Sequence, residues 1–346
     1  MKIQVLGECG GIGDLLQRMG IVRSIKLAIP DAQVWYFVRD CFVDWAILER
    51  SIDQLVAVPG STCRPFNAVP NPDVYEYLGT GEPFDATINM SDPGETYEDE
   101  ARGLVTRARA ELWRDTASAV LDCPITRQFC KLSIHPRVTA NVMAKLLARL
   151  GGRPSLLVGI QPIASWTWRS IGFEQVRGLV KELQAVGAQC LLFHRYPDPV
   201  ADWAKELGVA SVLGEKPIAL VETVRLCDAL ITVDSGLFHL GGTLGVPTVG
   251  MFAQTDGEAT GQEYESCGWI TAGTVERTGL TCKIPCYRRK QYGCVPSKCL
   301  RGCRALHRIS AKAVVDKTIG LAIERKGAHL TPEERADRMF SSQYGS

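Results

Sequence analysis

No stretch of the 346 residues approaches the ~20 consecutive apolar residues of a bilayer-crossing helix, which excludes a helical membrane protein. Met1-Lys2-Ile3 runs straight into a first apolar strand and leaves no room for a signal peptide, so a cytoplasmic protein is expected. An excess of charge is also lacking. Lys and Arg number 39 against 38 Asp and Glu, a net charge of +1, so no nucleic-acid partner is expected. The cysteines lack a C-x-x-C pair, which argues against redox catalysis, and their odd count of 13 cannot pair completely. Most are therefore expected as free thiols packed like small apolar groups. The chain has no internal sequence repeat. It also lacks a dinucleotide-binding fingerprint: Gly11-Ile12-Gly13 would need a third glycine where Leu16 stands, and Asp14 would put a carboxylate where a pyrophosphate belongs.

What is present is strand–helix alternation, twice over. The length suits two domains. The first round contains apolar strands at 3–6, 34–38 and 84–90, an amphipathic helix at 15–28 and a long helical stretch at 96–121. The second begins with the continuous apolar run LLVGIQ near Leu156 and proceeds through helix 173–186, strand CLLFH, helix 199–207, strand VASVL, helix 218–226 and strand ALITV. Continuous apolar strands separated by helices are the pattern of parallel sheets covered on both faces. The expected fold is α/β, with two doubly wound, Rossmann-like domains facing across a cleft. The expected divisions are 1–150, 151–330 and a polar tail at 331–346, with the loop Gly151–Ser155 marking the domain boundary.

Two segments carry candidate chemistry. In ITVDSGLFHLGGTLGVPTVGMFAQTD, Asp234, Ser235 and Gly236 end a strand and open a helix, and His239 falls on its first turn. A Ser-Gly turn at a helix N-terminus offers backbone N–H groups and the positive end of the helix dipole, a combination suited to phosphate. At the other end of the chain, Gly10, Gly11 and Gly13 form a loop after the first strand, and Asp14 closes it beyond the strand's carboxyl end, where open α/β sheets bind ligands. A carboxylate there suits a general base; it equally suits a helix N-terminus.

Taken together these segments resemble glycosyltransferase family 9, the bacterial heptosyltransferases. The residues that carry the resemblance are Gly13-Asp14 and Pro30-Asp31-Ala32 in the first segment, and Asp234-Ser-Gly-Leu-Phe-His239, Leu244-Gly-Val-Pro247 and Thr255-Asp256 in the second. It spans roughly 1–60 and 155–310. It implies a GT-B fold and an inverting transfer of a sugar from a nucleotide-diphosphate donor, ADP-heptose in the family, to a hydroxyl acceptor. Asp14 would be the base. Arg169, where the family usually has Lys, would join Asp234, Ser235, Gly236, His239 and Thr255 around the donor. Ser165, Trp166 and Thr167 would line the loop, and Asp198 is the nearest match to an acidic residue by the donor nucleoside. The helix end, Arg169 and His239 would stabilise the leaving diphosphate, so no catalytic metal is expected. The acceptor is left open among a lipopolysaccharide-type glycan, a lipid-linked molecule, a protein and a small molecule, with peripheral inner-membrane association compatible. Phe252-Ala253-Gln254-Thr255 departs from the family's Phe-Gly-Pro-Thr.

One segment stands apart. From Cys282 to Arg308 there are eight Lys or Arg and no Asp or Glu, together with Cys282, Cys286, Cys294, Cys299 and Cys303. Four thiolates suffice for a structural zinc or iron site, with the fifth spare; the alternative is a knuckle of free thiols. Two rival functions also follow from the sequence. One is a nucleotide-sugar epimerase of the same architecture. The other is a non-catalytic binding protein that uses this basic segment.

Overall fold

The computed structural model describes residues 1–7, 10–59, 84–90, 109–165, 169–195, 198–214, 216–253, 255–272, 275–277, 280–282, 303 and 305–326. The first half is built on β1 (Lys2–Leu6), β2 (Gln33–Arg39), β3 (Gln54–Val58) and β4 (Ala86–Asn89), all parallel, in the order β3-β2-β1-β4. α1 (Ile12–Ala28) follows β1, the short α2 (Val43–Ala46) follows β2, and α3 (Arg109–Leu121) and α4 (Pro136–Leu150) complete this half of the sequence.

The second half is a six-stranded parallel sheet. Its strands are β5 (Leu157–Gln161), β6 (Gln189–His194), β7 (Ala210–Leu213), β8 (Ala229–Val233), β9 (Thr248–Phe252) and β10 (Cys267–Thr271), in the order β10-β9-β8-β5-β6-β7. The intervening helices are α5 (Phe173–Ala185), α6 (Val200–Leu207), α7 (Pro217–Leu226), α8 (Gly236–Leu244) and α9 (Gly257–Gly261). A two-stranded antiparallel ribbon, β11 (Val275–Arg277) with β12 (Leu280–Cys282), precedes the closing helix α10 (Ala311–Lys326), which packs on α5. β8 and β9 are buried along their whole length, as continuous apolar runs predict.

Two expectations need correction. The first helix starts at Ile12 rather than Leu15, so Gly13 and Asp14 lie in its first turn and not in the preceding loop. Nor is α1 amphipathic. Leu15, Leu16, Arg18, Met19, Ile21, Val22, Ser24 and Ile25 are all buried, because one side of the helix meets its own sheet and the other meets α8. The long helix expected from 96 is described only from Arg109; residues 91–108 lie outside the described set.

The halves share one apolar core. It runs from Ile3, Leu15 and Met19 through Leu146 and Leu150 to Phe193, Leu220 and Leu240. α4 packs against α7, and the Gln189 side chain donates to the Leu150 carbonyl. Arg114 on α3 makes a two-pronged pair with Glu263, beyond α9, at 2.7 and 2.9 Å, and Arg225 on α7 donates to the Leu132 carbonyl. A forked Arg–carboxylate pair fixes orientation as well as distance.

Candidate active site

Strand order locates the site. In the first sheet the order reverses between β1 and β4, and in the second between β5 and β8. Such reversals open a crevice beyond the carboxyl ends of the strands. Each crevice holds an Asp–Arg pair. Asp14, just after β1, pairs with Arg109, the first residue of α3 and the next helix described after β4. Asp234, just after β8, pairs with Arg169, in the loop after β5, at 3.3 Å.

Asp14 sits at the third position of α1 and turns back to accept the Gly11 N–H at 2.8 Å. Gly11 has no side chain to cap the helix, so the carboxylate does that work from within. Gly10 has φ +96, and a Cβ there would collide with the Asp14 carboxylate, so only glycine fits. Burial pushes the Asp14 carboxyl up, but Arg109, Arg18, the Gly11 N–H and His239 together outweigh it and hold it at about 2. Arg18 is itself buried, donating to the Gly7 carbonyl at 2.8 Å and lying over the Trp113 ring.

On the opposite side, Ser235 caps α8 in extended conformation. Its hydroxyl hydrogen-bonds Gln161 at the end of β5 and makes no capping bond to the helix. Asp234 is buried and accepts the Thr255 hydroxyl at 2.5 Å as well as facing Arg169. Thr255 is itself buried, so it braces Asp234 from behind. Gly236 approaches α1 closely enough that a Cβ would lie 3.1 Å from the Ile12 Cβ. The N-termini of α1 and α8 therefore meet, and His239 stands at their junction against Gly13, where a side chain would overlap the imidazole. Burial lowers the His239 pKa; Asp14 and Asp234 oppose the shift, and Arg109 and Arg169 add to it.

The structure thus brings together Gly10, Gly11, Gly13, Asp14, Arg169, Asp234, Ser235, Gly236, His239 and Thr255 at one seam. Sequence reasoning missed Arg109, Gln17, Gln161 and Tyr264. Asp198 serves the local structure, since its carboxylate accepts the Arg195 and Val200 N–H groups and holds the turn into α6. Trp166, Thr167, Trp168 and Gln254 lie outside the described residues, as do Cys286, Cys294 and Cys299. Of the other two cysteines in the cluster, Cys282 is placed by its backbone in β12, and Cys303 is buried in the apolar core of the second half near Ala305 and Leu306. Among the described residues no group of three or more His, Cys, Asp or Glu is placed to hold a metal ion, and no helix is long and apolar enough to cross a membrane.

Two facing parallel-sheet units are the GT-B arrangement. The profile of glycosyltransferase family 9 (heptosyltransferase) matches residues 107–293, more than half of the chain, and the chain belongs to that family. The matched span includes Arg109, Arg169 and the Asp234–His239 motif and begins beyond Asp14. Among solved structures, the ADP-heptose lipopolysaccharide heptosyltransferase II of E. coli is similar, with TM-score 0.66 and 15% identity over 94% of this chain and 100% of that one. A family 9 glycosyltransferase from Veillonella parvula gives TM-score 0.68 and 14% identity, over 93% and 97%. The iron-containing dodecameric glycosyltransferase TibC of enterotoxigenic E. coli gives 0.56 and 13%, over 94% and 77%. No curated protein matches the sequence.

Proposed function

We propose that this glycosyltransferase moves a heptose from ADP-heptose to a hydroxyl acceptor, with inversion at the anomeric carbon and without a catalytic metal. The observation that carries the reading is the meeting of the two Asp–Arg pairs across His239, one at each switch point. The donor lies on the second half, residues 151–330, and the acceptor on the first, residues 1–150. The Arg169 guanidinium, the α8 N-terminus with Ser235 and Gly236, and His239 hold the diphosphate. The acceptor oxygen attacks the anomeric carbon, the bond from that carbon to the diphosphate oxygen breaks, and the electron pair leaves with the nucleotide.

Asp14 takes the acceptor's proton. A carboxylate held at about 2 is a weak base. It takes the proton late, after bond formation has made the acceptor hydroxyl strongly acidic. Its charge meanwhile stabilises the cationic character that builds on the sugar. Arg169 and the helix end supply the positive charge that a metal supplies elsewhere, and His239 adds a hydrogen bond. ADP-heptose is the donor put forward because two of the similar structures are described with it, the E. coli heptosyltransferase II and TibC. The acceptor class stays open among the candidates of the sequence, with a lipopolysaccharide-type glycan tried first because the E. coli heptosyltransferase II is described with lipopolysaccharide, and it is reached in the cytoplasm or at the inner-membrane surface.

The test is a donor panel of ADP-, UDP- and GDP-sugars with a heptose-accepting core glycan, reading transfer and the anomeric configuration of the product. Transfer from ADP-heptose with inversion is expected. Retention, or a strict need for magnesium or manganese in the chemical step, sinks the mechanism. Release of a free sugar epimer without any acceptor points to the epimerase instead.

A further inference from the structure

His239 has two ring nitrogens, and the protein treats them differently. Nδ1 lies 3.0 Å from the Tyr264 hydroxyl and 3.4 Å from the Gln17 side-chain nitrogen. Gln17 also hydrogen-bonds the Tyr264 hydroxyl. An amide nitrogen only donates. Gln17 therefore donates to the Tyr264 oxygen and toward Nδ1, the Tyr264 proton is directed at Nδ1, and Nδ1 is the bare, accepting nitrogen. The ring proton is then on Nε2. That atom faces the seam: a Cβ at Gly13 would lie 2.9 Å from it.

The partners are rigid. Tyr264 is 3% exposed, its ring stacks on Phe129 at 5.3 Å, and it fills the space a Cβ at Gly242 would need. Gln17 stands three residues beyond Asp14 on α1, on the same side of the helix. The two halves of the molecule thus act jointly to orient one imidazole.

We infer that Gln17 and Tyr264 lock His239 as the neutral Nε2–H tautomer, so that it offers the donor diphosphate a hydrogen-bond donor and no lone pair. The anion's identity rests on the proposed function; the tautomer does not. The charged groups that face the ring are Asp14 on α1, Arg109 on α3, Arg169 after β5 and Asp234 after β8, two of each sign. A neutral donor leaves the charge of Asp14 available, whereas an imidazolium beside it would compete for the carboxylate. An Nε2–H donor strengthens its bond as negative charge gathers on the departing diphosphate. The other tautomer would turn a lone pair toward the same oxygen. Tyr264 and Gln17 are positioning residues in this scheme.

The test reads the ring directly. Nitrogen-15 spectra of the histidine-labelled full chain, with His239 assigned by loss of its signals in His239→Gln, report the tautomer between pH 6 and 8 (roughly the range where a neutral ring is expected). One dominant Nε2–H form is expected in the wild type. Tyr264→Phe keeps the ring packing; it should bring in the second tautomer and lower kcat about tenfold, the rate equivalent of one hydrogen bond, with little change in donor KM. A wild-type spectrum showing Nδ1–H, or a Tyr264→Phe variant with both tautomer and kcat unchanged, overturns the lock. Full turnover in His239→Gln overturns the leaving-group role instead, so the two readings fail separately.

Discussion

The two Asp–Arg pairs occupy equivalent places in the two sheets and are built for different work. Asp14 sits inside its helix, caps that helix through the Gly11 N–H, and keeps 19% of its side chain exposed at the seam. Asp234 stands before its helix, is braced by Thr255 and leaves the α8 N-terminus uncapped by any side chain. One helix end is neutralised by its own carboxylate; the other is left to face an anion. On the proposed function, the same strand–turn–helix frame yields a proton acceptor on one side and a phosphate holder on the other. The position of one carboxylate relative to the first helical turn makes the difference.

The sharpest way to break that comparison is to remove the carboxylate of Asp14. Asp14→Ala should cut turnover by roughly 10²–10⁴ while donor affinity, measured by calorimetry, changes little. Activity within a few-fold of wild type would rule Asp14 out as the base. On the other side, Arg169→Ala should weaken nucleotide-diphosphate binding by about 10–100-fold, the loss of one charge-assisted contact, and should also free Asp234 from its partner. If its effect falls on kcat with donor binding intact, the division of labour between the pairs is wrong.

A smaller effect separates the partners of Asp14. Arg109→Ala removes a cation that holds the carboxyl down, and burial then works unopposed by it, so the Asp14 pKa rises. The acid limb of kcat/KM should move to higher pH. Stability follows the same sign. A depressed carboxyl contributes stability that is fully present above the unfolded pKa near 4 and lost as pH falls toward about 2. Acid melts of the variant should lose that contribution. Identical acid limbs in variant and wild type would show that Arg109 does not govern the base.

The smallest expected effect on turnover belongs to the cysteine cluster. One zinc or iron per chain is expected, bound by four thiolates and structural, with Cys303 the spare because its side chain is already buried in the core. Elemental analysis of protein purified without chelator should find it, and chelation should lower Tm while sparing kcat of the folded fraction. Less than about 0.1 metal per chain, with rapidly reactive thiols, leaves a loop of free cysteines.

Much of this was legible in the sequence. Strands β5 to β8 are apolar runs bounded by turn residues and formed where expected within a residue or two, whereas β10 was not foreseen. The Asp234–His239 motif and Gly13-Asp14 are runs of adjacent residues, so they could be read locally. Arg109, Gln17 and Tyr264 could not. They reach the site from 95, 222 and 25 residues away from the partners they bind. An arginine in the helical stretch RARAELWRD reads as an ordinary solvated face. Only Gln17 left a trace, three residues after Asp14 and hence on its side of the helix. The start of α1 was misplaced because its cap comes from the third helical residue rather than from a side chain before the helix.

The meeting of α1 and α8 has an electrical consequence. The two helices are set pole to pole, each contributing about half a positive charge at the junction. With Arg18, Arg109 and Arg169 set against Asp14 and Asp234, the site carries a net charge of roughly +2 by this reckoning. A sugar diphosphate ester brings about two negative charges to it. On the proposed function the donor is then a keystone as well as a substrate, since its diphosphate would offset the positive charge gathered where the two helix ends meet.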